Sequence, residues 1–138
     1  MNVPTDKELV TKMGIDSSNV LKNFLGKSIE GTIEMIRFSM PFYAEDLSSM
    51  GPIAFNYYFK AFKALIIDQS YKSDGDVIFL LPLPILMQLE QHNELVKESQ
   101  KDIAEVAAYV LSNWSNYDDY ADDKGILNRW IKIQKLVT

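Results

Sequence analysis

The chain has 138 residues, 47% of them hydrophobic and 24% charged, which suits one domain able to bury a core without metal or disulfide support. A net charge of −5 argues against nucleic-acid binding, which depends on neutralising phosphates. Cys is absent, which excludes thiol catalysis, zinc–thiolate sites and disulfides, and a single His, His92, excludes a His-pair metal site and argues against a catalytic triad.

Helical periodicity dominates the chain. Thr5 with Glu8 three residues on forms an S/T-x-x-E capping box, which predicts a first helix over 5–13 that ends at Gly14. A second runs from Ser17 to Leu25 and stops at Gly26, with Val20, Leu21, Phe24 and Leu25 on one face. The third, Ser28 to Phe38, carries Ile29, Ile33 and Ile36 at helical spacing, and Pro41 closes it. Pro52 fits the first turn of the next helix, where its missing N–H costs nothing. From Ile53 to Ile67 only Asn56, Lys60 and Lys63 are polar, on one narrow stripe, so a helix over about 52–68 is predicted to be buried and central.

Ser73-Asp74-Gly75-Asp76 reads as a turn. Val77 to Leu81 has a strand-like composition, but Pro82 and Pro84 exclude a central strand. The expectation is a short helix, a proline break and a helix continuing to Gln91. A helix over 93–113 follows, its buried stripe Ile103, Val106, Ala107, Val110 and Trp114. The last, over 122–137, places Ile126, Trp130, Ile133 and Val137 on one side. The fold class expected is all-α: a single-domain bundle of six or seven helices (1–138) around the buried central one.

The segment Met1 to Glu8 is polar, without the apolar core of a secretory signal. The longest apolar run, Val77 to Met87, is far short of the roughly 20 residues that a bilayer span needs. A soluble, cytoplasmic protein with no membrane partner is expected.

Three stretches resemble a family of small bacterial proteins of uncharacterised activity: Phe24-Leu25-Gly26-Lys27-Ser28-Ile29-Glu30, Phe42-Tyr43-Ala44-Glu45-Asp46-Leu47, and Met50-Gly51-Pro52-Ile53-Ala54-Phe55-Asn56-Tyr57-Tyr58 with Ala61 a turn further on. The resemblance covers about two thirds of the chain, and its specific part is Tyr43 to Tyr58. The family pattern has a Trp before the Met where this chain has Ser49, and Pro82 and Pro84 are unusual in it. The resemblance implies a helical fold and a bacterial source, and carries no activity.

Candidate chemistry is sparse. Gly26-Lys27-Ser28 matches the end of a phosphate-binding loop, but Leu21 stands where the first Gly belongs, so a helix boundary with Ser28 as a fresh N-cap explains it better. Asp74-Gly75-Asp76 fails as a calcium loop because Lys72 and Leu81 fall on ligand positions. Glu45 and Asp46, which precede the central helix, are a carboxylate pair suited to acid–base work or metal binding, or to stabilising a helix N-terminus. Among Tyr43, Phe55, Tyr57, Tyr58, Phe59 and Phe62, the spacing puts the phenylalanines in the core and leaves Tyr43 and Tyr57 open as pocket residues. Tyr117-Asp118-Asp119-Tyr120-Ala121-Asp122-Asp123 places four carboxylates and two tyrosines in seven residues, a pattern suited to docking on a basic partner or to a solvated loop whose last acids cap the final helix. Beyond it, residues 124–138 carry +4 with no acid, so the rest of the chain carries −9, a separation that suits a polarised surface, an intramolecular match between the final helix and the acidic body, or a head-to-tail or twofold homodimer.

Two functions follow as expectations. The first is an acidic, non-enzymatic protein-interaction module, for instance an immunity-type inhibitor of a basic partner, binding through Tyr117, Asp118, Asp119, Tyr120, Asp122 and Asp123. The alternative is a small-molecule-binding protein or hydrolase that uses Tyr43, Glu45 and Asp46, with Tyr57, at a helical pocket. Neither calls for a cofactor or a metal.

Overall fold

The computed structural model describes residues 2–11, 17–68, 76–117 and 123–138. Among these, every regular element is helical: α1 (Asp6–Leu9), α2 (Ser17–Phe24), α3 (Ile29–Ile36), α4 (Met40–Ala44), α5 (Asp46–Ser49), α6 (Pro52–Ile67), α7 (Asp76–Leu80), α8 (Pro82–Gln91), α9 (Gln100–Ser112) and α10 (Lys124–Val137). The fold is all-α. Six of these helices have eight residues or more, in line with the six or seven expected; the others are single turns that redirect the chain.

Local chemistry sets most boundaries. The Thr5 hydroxyl accepts the Glu8 N–H at 3.3 Å, and the Glu8 carboxylate accepts the Thr5 N–H at 3.0 Å, closing the capping box of α1. After α2 the chain reverses at Gly26, whose φ of +79° lies in the left-handed region that glycine enters without a Cβ clash. Ser28 then caps α3, its hydroxyl accepting the Gly31 N–H at 3.0 Å. Pro41 plays a different part from the one its position suggests. It does not merely end α3; it sits in the first turn of α4, where a fixed φ favours starting a helix. The stretch after His92 is also less regular than expected: a 3₁₀ turn at Lys97–Ser99 leads into α9, so that helix starts at Gln100. The turn at 73–75 lies outside the described residues.

α6 is the central helix. Phe55, Tyr58, Phe59, Ala61 and Phe62 are fully buried, and α1, α3 and α9 pack around it. Its polar stripe faces α9 and the turn that leads into it. The Asn56 amide donates to the Leu95 carbonyl at 2.9 Å and its oxygen accepts the Ser99 hydroxyl. Lys60 and Lys63 meet the Asp102 carboxylate at 2.9 and 2.8 Å, and Lys63 also pairs with Glu105. Burial alone would raise the Asp102 pKa, but hydrogen bonds from Lys63 and Lys60 and their positive charge outweigh it and hold the carboxyl below its ordinary range. The hydrogen bonds from Lys63 to Asp102 and Glu105 push that ammonium above its ordinary value. α10 lies across α9 and α8 with Ile126, Trp130 and Ile133 in the core, which forms one continuous apolar cluster. No helix among the described residues is long and apolar enough to cross a membrane.

Candidate docking groove

α4, α7 and α8 are each amphipathic with the wrong residue outside. In α4, Met40 and Ala44 are buried, yet Phe42 is 71% exposed. In α7, Val77 and Ile78 are buried and Phe79 faces outward. In α8, Pro82, Ile85, Leu86 and Leu89 form the inner face, while Leu83 (51% exposed) and Met87 lie one turn apart on the outer one. A solvated helix face would carry polar side chains at these positions.

These apolar side chains converge. α4 packs on α7 and α5 on α8, so Phe42, Phe79, Leu83 and Met87 line a single open groove of about 900 Å³. Pro41, Leu80 and Pro84 complete its apolar lining. Beside them stand Glu45 and Asp46 from the α4–α5 corner, and Asn19 and Asn23 from α2, which packs on α5. Arg129 of α10 enters from the other side, where α10 packs on α8. The neighbouring Trp130 fixes its direction: this indole is fully buried and donates its N–H to the Ile78 carbonyl at 3.0 Å, leaving Arg129 exposed at the groove. The opposite corner is held by Gln88. Its buried amide nitrogen donates to the Leu47 and Met50 carbonyls at 3.1 and 2.9 Å, locking α8 onto the turn between α5 and α6.

The expected pocket residues separate here. Glu45 and Asp46 do line the groove. They do not cap α6: Glu45 and Asp46 open α5, and Glu45 makes no side-chain cap bond. Asp46 accepts a long contact from the Asn23 amide at 3.4 Å, and Glu45 is exposed. Tyr57 is not part of the groove. It is 5% exposed and turned into the core against Tyr58, because its place on α6 falls on the buried arc. Tyr43 is half-buried, edge-on to Phe24 and Phe42, and backs the groove without lining it. The Ser48 hydroxyl donates to the backbone carbonyl of Glu45 at 2.6 Å, so it forms no nucleophile–base pair with a carboxylate. Among the described residues no three His, Cys, Asp or Glu side chains are grouped to hold a metal ion.

The acidic segment contributes at its two ends. Tyr117 is half-buried and stands edge-on to Trp114, and burial first, then the Tyr109 phenol, pushes its pKa up to about 12. It is engaged in packing. The Asp123 carboxylate caps α10, accepting the N–H groups of Gly125 and Ile126 at 2.9 and 3.1 Å. Asp118, Asp119, Tyr120 and Asp122 lie outside the described residues. What sequence reasoning missed is the apolar outer face of 79–87. The signal is in the sequence, since Leu83 and Met87 complete a helix apolar on both sides. No family model matches the chain, and no curated protein or solved structure does either.

Proposed function

We propose that this chain is a non-enzymatic protein-interaction module of the cytoplasm, docking protein surfaces on the groove between α4–α5 and α7–α8. One observation carries the reading: four large apolar side chains from three helices stand exposed in one groove beside carboxylates. Contiguous exposed apolar surface rimmed by polar groups marks interaction sites. The openness of the site favours a macromolecule, since a small ligand has 70–90% of its surface covered in its pocket and Phe42 and Leu83 remain more than half exposed. Glu45 and Asp46 suit a partner with cations at that edge, and Arg129 on the far wall suits one that carries an acid there. The second reading, a small-molecule site at Glu45 and Asp46, has in its favour that both line the groove.

The test is a pull-down from native extract with three baits: wild type, Leu83→Glu/Met87→Glu, and Asp118, Asp119, Asp122 and Asp123 all changed to Asn. Specific capture by wild type that the groove variant loses and the Asn variant keeps supports docking on the groove. Capture that survives the groove variant and fails with the Asn variant moves the site to the acidic segment and refutes the groove. Failure of all three to capture anything, together with a melting temperature raised by a small ligand, favours the second reading.

A further inference from the structure

The charges of the groove are arranged so that a second copy of the chain satisfies them. The order of elements across it is α5, α8, α10, each packed on the next. Glu45 stands on the first wall and Arg129 on the last, with Leu83 and Met87 of α8 between them. Neither Glu45 nor Arg129 forms an ion pair among the described residues, whereas Lys132, a turn beyond Arg129, is paired with Glu90 at 2.9 Å. A patch that is apolar in the middle, acidic on one side and basic on the other is self-complementary. A twofold axis through its centre lays apolar on apolar and carries each acidic wall over the other copy's basic wall. A uniformly basic partner would satisfy Glu45 but oppose Arg129.

We propose that the groove is the contact face of a twofold homodimer, with Leu83 and Met87 at its centre and Glu45 facing Arg129 of the partner subunit. This rests on reading the groove as a docking surface and names its occupant. The exposed fractions of Phe42, Phe79, Leu83 and Met87 correspond to roughly 400 Å² of apolar side chain per copy. With the polar walls added, the pair reaches the low end of the roughly 1,200–2,000 Å² typical of specific interfaces. The dimer is therefore a reversible one, in exchange with monomer at micromolar concentrations.

Sedimentation equilibrium of the full chain from about 5 to 500 µM tests it directly. The weight-average mass should climb from 15.8 kDa toward twice that value. Leu83→Glu should stay monomeric throughout, with unchanged circular dichroism because the side chain is half exposed. Glu45→Arg and Arg129→Glu should each weaken association about tenfold, and the two together should restore it to within about threefold of wild type. A monomeric wild type overturns the homodimer, and so does a dimer that persists in Leu83→Glu. A double exchange no better than the single ones overturns the twofold pairing of Glu45 with Arg129. With a monomeric wild type, the pull-down still decides separately whether the groove serves another protein.

Discussion

Tyr58→Phe removes one oxygen from the middle of the molecule, and the structure fixes what that should cost. Tyr58 is fully buried on α6, with its phenol 2.7 Å from the Phe24 carbonyl and 3.0 Å from the Lys27 carbonyl. These are the carbonyls left over where α2 ends and the chain reverses at Gly26. The Phe24 carbonyl keeps a second donor after the change, the Lys27 N–H at 3.0 Å, whereas the Lys27 carbonyl loses the phenol. The ring stays, edge-on to Phe24 with centroids 5.1 Å apart, so packing is unaltered. The loss is therefore one net hydrogen bond plus part of an orphaned acceptor, about 1–2 kcal/mol. An unfolding entropy of about 2.1 cal/mol/K per residue over 138 residues converts that to a drop in Tm of roughly 3–7 °C.

The same variant carries a pH signature. Burial, with a smaller contribution from the Tyr57 phenol, pushes the Tyr58 pKa up to about 12 from 10.0. A group whose folded pKa lies above its unfolded one stabilises the fold below the unfolded value, and that contribution is lost as pH rises through the folded one. Wild type should lose stability between pH 10 and 12, and Tyr58→Phe should lose less over that window. Thermal melts at pH 7 and urea melts from pH 9 to 12 measure both effects. A Tm within 1 °C of wild type, with an unchanged alkaline limb, would refute the claim that this phenol anchors the end of α2.

Two further perturbations probe other joints. Asp102→Asn removes the carboxylate that joins Lys60 and Lys63 of α6 to α9. The folded pKa of Asp102 is depressed, so its contribution is present above the ordinary carboxylate range and lost as pH falls through the folded value. The variant should be less stable at pH 7 by about 1–3 kcal/mol, the range for hydrogen bonds to charged groups on partly exposed lysines, and its stability should fall less between pH 5 and 2. Equal acid limbs in the two proteins would show that Asp102 does not carry the effect. Gly51→Ala should be costly for a steric reason alone. An added Cβ would lie 2.6 Å from the Glu8 carbonyl oxygen and 2.7 Å from the Thr11 Cγ2, while φ is an ordinary −66°. Pushing α1 away also strains the Gly51 N–H bond to the Leu9 carbonyl, 2.9 Å long, so a loss of about 2–3 kcal/mol in urea melts is expected. A variant as stable as wild type would mean that α1 moves aside freely.

Where one face of a helix was apolar and the other polar, the sequence was readable. α6 was legible almost to the residue because Pro52 marks its start and only three polar positions interrupt it. Ser28 and Thr5 were readable as caps because side-chain oxygens bond amides two or three residues ahead, a purely local geometry. The break at Pro82 was legible for the same local reason, giving α7 and α8 instead of a strand. What stayed hidden depended on which elements meet. Tyr57 and Tyr43 could be told apart from groove residues only by the packing of α6 and α4. The groove needs α4, α7 and α8 side by side, and no spacing in the chain states that. The Met50-Gly51-Pro52 block has a structural account. Met50 fills the core, Gly51 lets α1 approach closely, and Pro52 opens α6.

The charge separation along the chain bears on which side chains are free to meet a partner. An intramolecular match between the basic α10 and the acidic body would explain the +4 of residues 124–138 without any second molecule. Among the described residues that explanation holds for Lys132 alone, and its pairing with Glu90 joins two side chains that are both more than half exposed. Such pairs contribute little, since water screens them and ordering two long side chains costs entropy. α10 is held by other means: Ile126, Trp130 and Ile133 in the core, the indole bond to Ile78, and the Asp123 cap. Its cations are therefore not needed to seat the helix. Arg129 in particular stands in the groove with no ion-pair partner among the described residues, opposite a wall that ends in a carboxylate. Holding the fold together does not account for it there, which is why the proposed twofold contact sets it against Glu45 of a second copy.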